Sequence, residues 1–158
     1  MSSLTTSILT YLPQHEGLLP KWLLFVSIVS IANTIQAYCT LTYSSQVYLG
    51  PAPPASSTSP KEAAAYPGSR SPATPLSSRT FGTWCVIQSA VRIYAAYYIS
   101  NPQIYELAII TYAVAWLHFM SEWWVFGSAR WGRGLAGPVV VANGSFVWMV
   151  AQWGFYVK

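Results

Sequence analysis

The sequence predicts an all-α membrane protein: a four-transmembrane-helix bundle with a long disordered loop between helices 1 and 2. Three observations carry this reading. Only 8% of the 158 residues are Asp, Glu, Lys or Arg, against roughly a quarter in an average soluble domain. Hydrophobic residues make up 53%, and mean hydropathy is +0.36. The apolar residues also gather in four blocks, each close to the roughly 20 residues that span a bilayer core. Eight cationic and four acidic side chains are too few to keep a soluble surface of this size wet. The chain therefore reads as one four-span membrane domain, 1–158, with 50–78 as an irregular loop inside it.

The elements follow in order. Leu4, Ile8 and Leu12 recur every fourth residue, the spacing of a short helix lying in the interface; a flexible tail is the competing reading. Pro20 and Lys21 open the first span, Trp22 to Tyr43. Its apolar run is too long for a signal peptide core and no small-residue cleavage site follows, so it is retained as a helix. From Gly50 to Ser78 the composition changes abruptly. Pro51, Pro53, Pro54, Pro60, Pro67, Pro72 and Pro75 alternate with Ser and Ala, and proline at that density sustains neither helix nor ladder. The second span runs from Thr80 to Ile99, and Asn101-Pro102 turns the chain. The third follows at once, Ile104 to Phe126, making a tight antiparallel hairpin. A glycine-rich connection carrying Arg130 and Arg133 leads to Pro138, a suitable first helical residue for a fourth span ending near Tyr156.

The net charge is +4 and the pI about 9.2. Nucleic-acid binding needs the cations clustered on one face; here they are scattered between apolar blocks. The long loop and the third connection hold Lys61, Arg70, Arg79, Arg130 and Arg133, and the terminal side holds Lys21 and Lys158. Positive-inside bias places the basic connections in the cytosol and both termini in the lumen. Cys39 and Cys85 lack disulfide or C-x-x-C spacing and read as two buried free thiols.

Groups that hydrocarbon penalises are candidates for function. Gln88, Arg92, Glu106, His118 and Glu122 lie in the second and third spans, with Asn33, Gln36, Asn143 and Gln152 in the outer two. At 1.5 Å per residue they fall into two polar layers. In one, Arg92 reaches toward Glu106 at the terminal side. In the other, His118 and Glu122 lie on one helix face toward Arg79, Arg130 and Arg133, which face the headgroups. The plain reading is that these groups tie four helices together by hydrogen bonds. A proton path or buried ligand site competes with it. His118 and Glu122 alone do not make a metal site, and two histidines, His15 and His118, exclude a histidine-clustered di-iron centre. Gly132 to Gly137 spells G-x-G-x-x-G, but without a preceding strand or a later acid it is not a dinucleotide fingerprint. Asn143-Gly144-Ser145 is a sequon inside a span, beyond a transferase's reach. No catalytic residues, cofactor or metal site can be assembled, so the expectation is a protein that is not an enzyme. Trp84, Trp116, Trp123, Trp124, Trp131, Trp148 and Trp153 read mainly as interface anchors.

Several stretches carry a resemblance as a set: Leu76 to Trp84 with Arg79, Val91-Arg92 with Tyr94 and Tyr97, Asn101-Pro102, and Tyr105-Glu106. His118-Phe119 with Ser121-Glu122-Trp123, Phe126 to Arg130, and Gly132 to Pro138 complete it. Together they resemble the ergosterol biosynthetic protein twenty-eight family, loosely over Leu18 to Val47 and closely from Leu76 onward. The resemblance implies a non-catalytic scaffold of the endoplasmic reticulum membrane. Its implied partners are a sterol C-4 methyl oxidase, a C-4 decarboxylating sterol dehydrogenase and a 3-keto sterol reductase, with membrane lipid around it. Self-association and direct sterol binding stay open, and no nucleic acid is implied. The loop from Gly50 to Leu76 departs from compact members of the family, so no role carries over to it. The alternative reading is a small four-span transporter or a lipid- or sterol-binding membrane protein.

Overall fold

The structure, a computed structural model, describes residues 10–50 and 71–157. Every regular element among them is helical: α1 Leu19–Cys39, α2 Thr42–Val47, α3 Pro75–Tyr97, α4 Pro102–Trp124, α5 Arg133–Ala151 and α6 Trp153–Tyr156. The segment around Leu4 and Ile8 and most of the proline-rich loop, 51–70, lie outside the described residues.

Local chemistry sets the helix ends. Pro20 occupies the first turn of α1, where its missing N–H costs nothing. The first span expected through Tyr43 instead stops at Cys39, because Thr40 is extended and its N–H and hydroxyl both return to Gln36 O. That local bonding competes with continued helix, and the chain restarts as α2. The next helix begins at Pro75, five residues before the expected Thr80. Thr74 and Ser77 form a reciprocal capping box, and Pro75 sits just inside it; a proline in that position starts a helix. Asn101 caps α4 by accepting from Ile104 N–H at 3.1 Å. Past α4 the chain turns at Gly127, with φ +64°, a left-handed conformation that suits glycine. Pro138 is not the first residue of the last span. It lies inside α5, which starts at Arg133 and takes up the end of the glycine-rich connection.

The long helices alternate in direction. Thr34 Oγ1 donates to Gly82 O at 3.1 Å, and Ser78 Oγ donates to Ala37 O at 2.8 Å. These bonds join α1 to α3, the most extensive helix pair, through small residues that allow close approach. Gly82 is part of that fit, since a Cβ there would lie 3.0 Å from the Tyr38 ring. Tyr105 on α4 donates to Met149 O on α5 at 2.8 Å. Trp22 Nε1 donates to Ser145 Oγ at 2.8 Å, joining α1 to α5 at the terminal end. At the loop end α2 presses on α5, where a Cβ on Gly134 would lie 2.3 Å from Gln46 O.

The packing buries Leu19, Leu23, Ile99, Tyr105, Tyr112, Leu135 and Met149 together with small hydrogen-bonded residues, and turns many other large apolar side chains outward. Ser27, Ser44, Ser78, Ser89 and Ser145 are buried, whereas Phe25, Ile28, Ile35, Ile87, Ile110, Leu117, Val140 and Val147 are exposed. Among the described residues, three helices, α1, α4 and α5, are long and apolar enough to cross a membrane. With 23 residues, α3 is as long as α4, but its inner face carries Ser78, Gln88, Ser89 and Arg92 and lowers its hydropathy. Both cysteines are free, and Cys39 is exposed rather than buried.

Candidate functional site

Two polar clusters form, one around Arg92 and one around His118 and Glu122. The first centres on Arg92, which is 5% exposed. Its Nη2 donates to Gln88 Oε1 at 2.8 Å and to Thr111 O at 3.3 Å, and its Nε donates to Thr111 Oγ1 at 3.0 Å. The guanidinium carbon lies 3.9 Å from the centroid of the Tyr112 ring, within cation–π range. Gln88 precedes Arg92 by one helical turn, so both project from one face of α3.

Glu106 does not join this cluster. It is exposed, and the expected Arg92–Glu106 approach does not occur. The inward stripe of α4 is Tyr105, Ala108, Thr111, Tyr112, Ala115 and Phe119, and Glu106 falls one residue, about 100° of helix rotation, off that stripe.

The second cluster lies toward the loop end. Tyr48 Oη and His118 Nε2 are 2.7 Å apart. The His118 ring is also edge-on to Trp84 and Phe119, at centroid distances of 5.2 and 5.3 Å. Ser128 Oγ donates to Glu122 Oε2. Burial pushes the Tyr48 phenol far above its usual range, with the Glu122 carboxylate adding to the effect, and lifts Tyr43 to about 12. Both phenols therefore stay protonated donors at any physiological pH. Arg79 and Arg133 are exposed and Arg130 is half-buried, all at this same end. Among the described residues no three metal-ligating side chains come together.

Thr111, Tyr112, Tyr48 and Ser128 were not singled out by the sequence. Thr111 and Tyr112 had a usable signal, since they share the inward stripe of α4. Tyr48 and Ser128 lie in irregular chain and had none.

Between the four long helices lies a cavity of about 370 Å³. Arg92 and Tyr112 line its floor, Phe25 and Val29 its α1 side, and Val141 and Gly137 its α5 side. A second hollow of about 700 Å³ lies outside the bundle between α3 and α4, bordered by Tyr48, His118 and Glu122.

The family described as Erg28 like protein matches residues 19–147. Ergosterol biosynthetic protein 28 of Candida albicans is 45% identical over 152 residues, covering 96% of both chains. Its namesake in Saccharomyces cerevisiae is 40% identical over 154 residues, 97% of this chain and 92% of that one. The human Ergosterol biosynthetic protein 28 homolog is 29% identical over 134 residues, 85% of this chain and 84% of that one. No solved structure matches the chain.

Proposed function

This chain belongs to the Erg28 family, and from that premise we propose that it is a non-catalytic scaffold of sterol biosynthesis. In this reading it crosses the endoplasmic reticulum membrane four times, with α3 as the fourth span and both termini in the lumen. It holds the sterol C-4 methyl oxidase, the C-4 decarboxylating sterol dehydrogenase and the 3-keto sterol reductase beside one another.

The observation that carries the reading is the outward apolar surface, with exposed large apolar side chains on each of α1, α3, α4 and α5. A surface of that size faces lipid or protein, not water. The interior polar groups are mostly engaged with one another: Arg92 with Gln88 and Thr111, His118 with Tyr48. They hold helices in place and leave the periphery for docking. The relatives' names add the pathway, ergosterol biosynthesis.

The test is affinity purification of the tagged chain in mild detergent, with co-purifying proteins identified. Recovery of the three enzymes supports the scaffold. Sterol C-4 demethylation by the purified chain alone, or none of the three enzymes among its partners, overturns it.

A further inference from the structure

The central cavity has a charge imbalance that the helix packing does not resolve. Among the described residues, Arg92 and Arg133 both line it and no Asp or Glu does. Arg92 is the deep one. Its Nε and Nη2 are engaged with neutral acceptors, Thr111 and Gln88, and its Nη1 makes no hydrogen bond among the described residues. A guanidinium buried in a membrane span without a carboxylate is costly. The Tyr112 ring beneath it at 3.9 Å offsets only part of that cost.

The remaining walls are mostly apolar, with Ser30, Asn33 and Gln46 as polar exceptions, and the shape is bounded. Trp22, Ser145 and Trp148 join α1 and α5 at one end, and Gln46 abuts Gly134 at the other. Between these closures α1 and α5 scarcely touch, and the lining residues Phe25 and Val29 are exposed. The cavity therefore opens sideways, toward lipid. At about 370 Å³ it falls within the small-molecule range and is too small for a helix roughly 10 Å across.

We infer that this cavity binds an amphipathic molecule entering between α1 and α5, with an apolar body and a single carboxylate that meets Arg92 Nη1. A carboxylate supplies the missing charge in a compact group and accepts a charge-assisted hydrogen bond. A phosphodiester headgroup is bulkier and is dragged inward at greater cost. The site is separate from the scaffold reading, which needs only the outer surface.

The test measures equilibrium binding of radiolabelled probes to the full chain in neutral detergent. Oleate and cholesteryl hemisuccinate carry a carboxylate on an acyl and a sterol body; oleyl alcohol and cholesterol are their neutral counterparts. At least one carboxylate probe is expected to bind about tenfold or more tightly than its counterpart, and the preferred pair identifies the body. Arg92→Gln should remove that preference. Gly137→Leu provides a second variant in case Arg92→Gln fails to fold: its Cβ meets nothing within 4 Å, yet its side chain enters the cavity. It should weaken binding at least tenfold without lowering the unliganded melting temperature. Equal binding of charged and neutral probes, no binding of any probe, or a preference that survives in Arg92→Gln overturns the inference. Glu62 is an acid of the proline-rich segment, and a loss of stability in Glu62→Gln as large as in Arg92→Gln also overturns the inference, by assigning the counter-charge to the chain itself.

Discussion

Arg92 lies over the Tyr112 ring with its guanidinium carbon 3.9 Å from the ring centre, while Glu106, the nearest acid along α4, is exposed to the outside. Among the described residues the cation is thus held by a neutral acceptor pair and an aromatic face, and not by a salt bridge.

Arg92→Leu and Glu106→Leu should therefore act independently. The first strands Gln88 and Thr111 and is expected to cost about 1–3 kcal/mol; the second changes an exposed group and stays within about 0.5 kcal/mol. The double variant should equal their sum in detergent melts. Recovery of stability in the double variant would restore an Arg92–Glu106 pair.

Two glycines of α5 should behave oppositely. Gly134→Ala places a methyl 2.3 Å from Gln46 O, so α2 must separate from α5, with a loss of about 1–3 kcal/mol. Gly137→Ala meets open space and gains helix propensity, up to about 1 kcal/mol of stabilisation. Thermal unfolding of the two variants side by side reads the difference directly.

The proline-rich segment ends in Thr74, which caps α3. Replacing 51–70 with a short polar linker should leave melting and membrane insertion nearly unchanged, since closure entropy varies slowly with loop length. Extending the deletion through Thr74 removes the capping box of α3 and should cost about 1 kcal/mol more. Equal stability of the two deletions would show that the cap contributes nothing.

Four spans put both termini on one side. Glycosylation acceptors appended at the N-terminus and at the C-terminus should both be modified in microsomes, and one inserted within 51–70 should not. Modification at only one terminus means an odd number of crossings, with α3 lying outside the bilayer.

Helix type and order were readable from the sequence because apolar block length and turn residues such as Asn101-Pro102 act locally. Boundaries shifted where one residue has two roles. Proline at 75 ends a loop and starts a helix, and its capping partner Ser77 resembles the serines of the loop before it. The same duality hid the α5 start, where glycines at 132, 134 and 137 read as connection. At the site, Gln88 and Arg92 were visible as polar residues one turn apart in an apolar span. Their actual partner was not, because choosing Thr111 over Glu106 depends on the rotation of α4, which depth arithmetic leaves free.

The bond from Trp22 to Ser145 spans 123 positions of the chain. While the protein is being made, α1 enters the membrane long before α5 exists. Pairing of α1 with α3, and then of α3 with α4, precedes closure of the ring, because contacts between near neighbours in sequence carry the smaller entropic cost. The α1–α5 seam is the last joint to form. Until α5 arrives, Arg92 faces open bilayer on that flank, so the nascent three-helix stage is when the chain most needs a chaperoning surface within the membrane.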